Sequence, residues 1–196
     1  MRAIVIASVI AAGSAIGLAG CGGTDRAAQP TGASATQAAS PIPPAKNPRD
    51  VAVMGRRPCE LLTPQQAAGF GLNLPPHQTE GVLDRVGCQW ISNTPDRRVY
   101  RRVDLSTFTN NLTLEAVYNR RESLPFFELT EISGYPAIVS RTNADVAHCD
   151  IDVKPAERQS FSVIYDSHEF DNNPQQACAV GKQVAAAVLM NLPPKG

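Results

Sequence analysis

The segment Cys149-Asp150-Ile151-Asp152-Val153-Lys154 alternates apolar and charged side chains along its whole length. Successive side chains of a strand point to opposite faces of a sheet, so this period of two predicts one buried face and one solvated face. The next apolar segment, residues 160–165, places Phe161, Val163 and Tyr165 on one face in the same manner. The short link between the two segments predicts an antiparallel hairpin.

Four other segments also have the alternation or composition of strands. Working outward from the hairpin, they are residues 136–141, 127–132, 98–109 and 87–91. The longest has two distinct faces, one with Val99, Val103 and Leu105 and the other with Arg102, Asp104 and Ser106. Short links between consecutive segments predict further hairpins and a mostly antiparallel sheet.

Three segments are predicted to form helices. Thr63-Pro64-Gln65-Gln66 is typical of a helix start, because a threonine cap, a proline at the first helical position and a glutamine three residues after the cap suit a capping box. The second helix covers residues 113–123 and stops before Pro125. The third begins at Asn173-Pro174, ends at about Leu192, and carries small residues that permit close packing: Ala177, Gly181 and Ala185.

These elements predict an α+β fold, in which helices pack on a mostly antiparallel sheet in the order α-β-β-α-β-β-β-α. The order assigns three strands to the four segments between residues 127 and 165. One globular domain is expected over residues 50–193, followed by a short tail at 194–196.

The five cysteines predict two disulfides and one residue with a separate role. Four of them lie in the predicted domain: Cys59, Cys88, Cys149 and Cys178. Three pairings are possible, and we favour 59–88 with 149–178, because each bond would join a terminal helix region to a neighbouring strand. The alternative is a metal site that uses His148 beside Cys149. It is disfavoured because neither C-x-x-C nor H-x-x-x-H spacing occurs, so no metal or cofactor is expected.

The fifth cysteine lies near the amino terminus. Arg2 precedes an apolar segment that ends in Leu18-Ala19-Gly20-Cys21, which looks like a bacterial lipobox. Residues 1–20 are therefore interpreted as a lipoprotein signal peptide, and Cys21 as the lipidated residue. A diacylglycerol would anchor the protein to the extracytoplasmic face of the cell membrane. The alternative is an uncleaved transmembrane helix over residues 3–20.

The segment that follows, residues 21–49, is predicted to be a disordered tether. It consists mainly of Gly, Ala, Ser, Thr, Gln and Pro, and Ile42 is its one large aliphatic residue. Such a composition cannot bury enough apolar area to offset the loss of chain entropy.

Charge and motifs exclude several functions. Lys and Arg together number 18, as do Asp and Glu, so the net charge is zero and there is no electrostatic basis for nucleic-acid binding. The sequence lacks G-x-S-x-G, H-E-x-x-H, G-x-G-x-x-G and a P-loop. The segment Asp166-Ser167-His168-Glu169 contains the residue types of a catalytic triad, but a polar turn is the favoured interpretation. A second cluster, at Arg97, Arg98, Arg101 and Arg102, is interpreted as a solvated strand edge rather than an anion site.

Two motifs point to a family. Pro58-Cys59-Glu60-Leu61-Leu62-Thr63-Pro64 and Gly87-Cys88-Gln89-Trp90, with Cys178 in an Ala-rich final helix, resemble actinobacterial envelope lipoproteins grouped as domain of unknown function 3558. The resemblance covers residues 50–193. It implies an envelope lipoprotein without an established activity and brings no catalytic residues.

The expected function is therefore that of a membrane-anchored, non-catalytic binding or accessory domain of the cell envelope. Its ligand could be an envelope protein, a glycan or a lipid. The alternative is an envelope hydrolase without a known motif, which would use Asp166, His168 or Glu169.

Overall fold

The computed structural model describes residues 40–80, 86–96, 99–109, 114–143 and 147–196. The predicted signal peptide, Cys21 and most of the predicted tether lie outside the described residues. Within the described ranges, no helix is both long enough and apolar enough to cross a bilayer.

Seven strands form one sheet in the order β1-β2-β3-β7-β6-β5-β4, and every neighbouring pair is antiparallel. The strands are β1 (His77–Glu80), β2 (Val86–Ile91), β3 (Arg101–Phe108), β4 (Phe126–Ile132), β5 (Tyr135–Arg141), β6 (His148–Ala156) and β7 (Gln159–Ser167). Two meanders, β1-β2-β3 and β4-β5-β6-β7, therefore join edge to edge through β3 and β7. The predicted antiparallel α+β fold is confirmed.

In the part of the chain that the structure describes, three α-helices accompany the sheet: α1 (Pro64–Gly69), α2 (Leu114–Asn119) and α3 (Pro174–Asn191). The predicted capping box opens α1. The Thr63 hydroxyl accepts a hydrogen bond from the Gln66 N–H at 3.2 Å, and the Gln66 side chain accepts one from the Thr63 N–H at 2.9 Å. Short 3-10 turns occur at Pro58–Leu61, Arg121–Ser123 and His168–Phe170.

The observed order contains two more strands than expected. All four segments between residues 127 and 165 form separate strands, β4 to β7. The additional early strand, β1, is not predicted because His-Gln-Thr-Glu has no apolar alternation. Such polar residues suit an exposed sheet edge, where neither face of the strand is buried. The second helix is also shorter than predicted, since it ends at Asn119 and gives way to a 3-10 turn.

The main core lies between α3 and the central strands. On this face Cys149, Ile151 and Val153 of β6 are fully buried, as the alternation in β6 predicts. A Cβ built at Gly181 of α3 would overlap the Ile151 Cδ1 atom, so helix and strand approach closely. The small residues of α3 therefore allow the helix to lie directly on the sheet.

Two disulfides fasten helical segments to strands, in the favoured pairing. Cys59, in the first 3-10 turn, bonds to Cys88 of β2, and Cys149 of β6 bonds to Cys178 of α3. In both pairs the Cα atoms are 5.1 Å apart, within the range usual for disulfides. Trp90, two residues after Cys88, is 1% exposed and belongs to the same core.

Residues 40–49, which we call the strap, correct the expected domain boundary. Ile42 is buried, the Tyr135 hydroxyl donates a hydrogen bond to the Asn47 carbonyl at 2.7 Å, and the Arg49 guanidinium donates one to the Leu192 carbonyl at 2.9 Å. Arg49 also forms a β-bridge with Pro194. The packed domain thus begins near residue 40 rather than 50, and the expected tail at 194–196 pairs with the strap. The buried Ile42 side chain and the hydrogen bonds of Asn47 and Arg49 to distant residues hold this proline-rich segment on the domain.

Candidate functional site

The charged residues of β6 lie on the sheet face opposite α3, which we call the polar face. Asp150 and Asp152 alternate with the buried residues of the same strand. In the register with β7, Asp150 lies beside Ile164 and Asp152 beside Ser162. The alternation that buries one side of the hairpin therefore gathers carboxylates and hydroxyls on the other.

Helix α2 packs on this face and encloses a cleft of about 320 Å³, which we call the sheet cleft. Leu114 of α2 packs with Ile138 of β5 and Ile42 of the strap. The floor is formed by β6 and β7 and the wall by α2. The floor and the wall include Asp150, Asp152, Ser160, Ser162, Val117 and Arg120, and the lining is completed by Phe108, Leu114, Ala116, Thr142 and Ile164. A concave site with both apolar and polar lining can enclose a small molecule.

Asp152 has the most perturbed electrostatics in the cleft. Burial raises the pKa of its carboxyl group from 3.8 to about 6, because removal from water disfavours the charged form. A hydrogen bond from the Ser162 hydroxyl opposes this rise, the Asp150 carboxylate adds to it, and the Arg120 guanidinium lowers it. The cleft therefore contains a poorly solvated carboxylate at neutral pH.

The His148 imidazole contacts the carboxylate of Asp150. Its Nε2 atom lies 3.3 Å from the Asp150 Oδ2 atom. The hydrogen bond to Asp150 raises the pKa of His148, burial opposes the rise, and the charges of Asp150 and Asp166 support it. His148 and Cys149 point to opposite faces, and the Cys149 sulfur is bonded to Cys178. His148 and Cys149 are therefore not brought together as metal ligands. Within the described ranges, no group of three or more His, Cys, Asp or Glu side chains could hold a metal.

A network of ion pairs borders the cleft on the polar face. Arg102 lies 3.0 Å from Asp104 and 3.0 Å from Asp166, and Gln89 donates a hydrogen bond to Asp104 at 2.6 Å. On the opposite side of β3, Arg101 pairs with Glu169. Because β3 lies between β2 and β7, the interpretation of the arginine cluster as a solvated strand edge is wrong for these two residues. Arg97 and Arg98 lie outside the described residues.

The residues of the triad-like segment do not converge. Asp166 pairs with Arg102 on the polar face, while the neighbouring Ser167 is buried on the other side of β7. His168 lies in a 3-10 turn, with its Nδ1 atom 3.5 Å from an Asp171 carboxylate oxygen. Glu169 is engaged with Arg101. The segment is thus divided between two faces and a turn.

A second, smaller cavity of about 220 Å³ lies between β4 and α3. It is lined by Phe126, Glu128, Cys178 and Lys182, among others. The Lys182 amine donates hydrogen bonds to both Glu128 carboxylate oxygens at 2.9 Å. These two charges satisfy each other, so the sheet cleft is the stronger candidate for recognition of a polar ligand.

Sequence reasoning placed the acidic residues of β6 on a solvated face but did not find the cleft. The missing information was the position of α2, which depends on packing between segments distant in sequence. Arg120 was missed for the same reason, since nothing in the local pattern shows which strand a short helix covers.

Comparison with known proteins gives a family but no activity. A family model described as "Protein of unknown function (DUF3558)" matches residues 16–191. No curated protein and no solved structure matches the chain. Since the family model covers most of the chain, including all the described helices and strands, the protein belongs to the DUF3558 family.

Proposed function

We propose that the protein is a membrane-anchored extracytoplasmic lipoprotein whose domain binds a small polar ligand in the sheet cleft, without catalysing a reaction. The anchoring part of this proposal is supported by the lipobox-like segment that ends at Cys21. The binding part is supported by the sheet cleft.

The observation that carries the binding proposal is the desolvated carboxylate of Asp152 in a concave site. An aspartate with a strongly raised pKa destabilises the folded state when it ionises. An apolar residue on this strand would avoid that penalty, as Ile138 does on the adjacent β5. Perturbed titratable groups in a cleft are typical of functional sites, because recognition needs poorly solvated polar atoms.

The experiment is equilibrium dialysis of the purified full-length protein, in detergent, against the polar small-molecule fraction of the cell envelope. Mass spectrometry then identifies compounds enriched on the protein side. We expect at least one compound to be enriched by the wild type and not by Ser162→Leu, which fills the floor of the cleft.

The matched control is Thr130→Leu, which makes the same kind of change on β4. Thr130 lies on the α3 face of the sheet, away from the cleft, and is outside the cleft lining. This variant should enrich the same compound as the wild type. Absence of any enriched compound, or equal enrichment by the Ser162→Leu variant, would contradict binding in the cleft.

A further inference from the structure

The charges that line the sheet cleft have opposite signs on opposite sides. Asp150 and Asp152 lie on the floor, and Arg120, which directly follows α2, lines the side of the cleft formed by that helix. The two aspartates are two residues apart on one strand, so their side chains leave the same face about 6–7 Å apart. One ammonium group between them could donate hydrogen bonds to both carboxylates.

Arg120 is positioned to hold a negative group at the other side. Its guanidinium lowers the pKa of Asp152, so the two charges interact across the cleft. Among the described residues, however, no carboxylate lies within ion-pair distance of Arg120. The guanidinium is exposed at the rim, and its planar donors match a carboxylate in a bidentate arrangement.

The rest of the lining suits a ligand with a short apolar part. Val117 and Leu114 on the α2 side and Ile164 on the floor offer hydrocarbon surface, while Ser162 and Thr142 offer hydroxyl groups. The volume of about 320 Å³ lies at the lower end of the roughly 300–1,000 Å³ that is usual for small-molecule sites, so the ligand is small. An amino acid such as leucine is a small ligand of this kind.

We propose that the ligand of the sheet cleft is a zwitterion, either a free amino acid or a short peptide. Its ammonium group contacts Asp150 and Asp152, and its carboxylate contacts Arg120. This inference rests on the proposed function, since it names the ligand class of the same site. A simple cation would be repelled by Arg120, and a simple anion by the two aspartates. A neutral polyol would offer no charged group to Asp152 or to Arg120.

The test measures binding of four probes to the full-length protein in detergent by isothermal titration calorimetry at pH 7.5. The probes are leucine, alanyl-alanine, leucinamide, which lacks the carboxylate, and N-acetyl-leucine, which lacks the ammonium group. We expect leucine or alanyl-alanine to bind. Loss of either charged end should weaken the binding of leucine about tenfold or more, because hydrogen bonds between charged groups are strong. The first two probes also distinguish a free amino acid from a peptide.

Two variants assign each end of the ligand to its residue. With Arg120→Gln, leucine and leucinamide should bind with similar affinity. With Asp152→Asn, the preference for leucine over N-acetyl-leucine should fall about tenfold. Arg120 is exposed, so the Arg120→Gln variant tests the carboxylate end of the ligand independently of the Asp152→Asn variant.

Failure of the inference is distinguishable from failure of the proposed function. If neither leucine nor alanyl-alanine binds at concentrations up to about 10 mM, the zwitterion inference is overturned. If a compound from the envelope fraction is nevertheless enriched by the wild type and not by Ser162→Leu, the proposed function stands. The ligand then belongs to another chemical class. Binding of leucine that is unchanged in both variants would overturn the assignment to this cleft.

Discussion

Asp152 occupies an unusual position for an ionisable residue, because it lies beside a second carboxylate under the cover of α2. Its raised pKa means that the folded protein binds the proton of this group more tightly than the unfolded chain does. The resulting stabilisation is present at low pH and is lost as the pH rises through about 6. At neutral pH the ionised carboxylate thus reduces the free energy of unfolding.

We therefore predict that Asp152→Asn stabilises the protein at pH 7.5, because asparagine has no charge to desolvate. The full pKa shift of Asp152 sets an upper limit of about 3 kcal/mol on this effect. We expect the free energy of unfolding to rise by about 1–3 kcal/mol. The gain should disappear near pH 4, where the wild-type carboxyl group is protonated in the folded state. Urea denaturation at both pH values, with the disulfides intact, measures it.

The control is Asp171→Asn, at an aspartate whose side chain is 52% exposed. Surface changes of this kind alter stability by no more than about 0.5 kcal/mol. A loss of stability at pH 7.5 in the Asp152→Asn variant would mean that the interactions with Ser162 and Arg120 outweigh burial.

For single residues, the sequence predicts interactions between neighbours in the chain but not contacts between distant segments. The Thr63–Gln66 capping box was predicted because all its atoms lie within one helical turn. The faces of β6 were predicted because alternation is a property of the strand itself. The partner of Arg102 was not, since Asp166 lies 64 residues away and its position depends on the pairing of β3 with β7.

Helix α3 is held on the sheet by a close approach and a covalent bond. Gly181 faces Ile151 and lies near Tyr165, whose Cβ atom would be 3.3 Å from an added Cβ atom. The Cys149–Cys178 disulfide fixes the first turns of the same helix. Extra volume at Gly181 would lift the helix away from β6 and β7, where Ile151 and Tyr165 are fully buried.

We predict that Gly181→Ala lowers the free energy of unfolding by about 1–2 kcal/mol. Overpacking lowers the free energy of unfolding by about 1–3 kcal/mol, and the better helix propensity of alanine offsets up to about 1 kcal/mol of this loss. Addition of Ile151→Val, which removes the atom that the new methyl group would overlap, should restore part of the loss. Urea denaturation measures all variants.

Gly69→Ala is the matched control, because a Cβ atom at the end of α1 would meet no atom within 4 Å. It should leave stability unchanged or raise it by a few tenths of a kcal/mol. If the Gly181→Ala variant is as stable as wild type, the helix tolerates a shift and the close approach is not required.

Among the elements, strands with an apolar face could be predicted and an edge strand could not. The segments that form β2 to β7 contain enough apolar residues to identify them, while β1 consists of polar residues and pairs with β2 at the edge of the sheet. The shortening of α2 has a similar origin. Its residues satisfy a helical pattern over a longer range, but the chain turns after Asn119 to enter β4.

For the molecule as a whole, hairpins follow from sequence but the junction of the two meanders does not. Strands β4 to β7 pair with their neighbours in sequence, as short links predict. The pairing of β3 with β7 brings together segments about 60 residues apart, which no local pattern indicates. The strap was misassigned for a related reason, because its composition is that of a tether and only distant partners order it.

The proposed attachment to the membrane also concerns the whole molecule. We predict that Cys21→Ala moves the protein from the detergent phase to the aqueous phase in detergent partitioning. In the proposed lipoprotein the Cys21 thiol would be the acyl acceptor, and two acyl chains are needed for stable anchoring.

The control for this prediction is Gly20→Ala, which keeps a small residue before Cys21 and should leave the protein in the detergent phase. A Cys21→Ala variant found wholly in the detergent phase would favour the alternative that residues 3–20 form an uncleaved transmembrane helix.

The two disulfides also determine how the fold could be divided. Each bond stays within one half of the sheet, so that, among the described residues, no disulfide crosses the eight residue pairs of the junction between β3 and β7. A backbone cut between β3 and α2 would therefore give two fragments, each with its own cross-link. The fragments would meet along the β3–β7 junction and at the strap, through the bridge between Arg49 and Pro194. This topology makes the domain a natural candidate for fragment complementation, in which two separately produced pieces reassemble into one sheet.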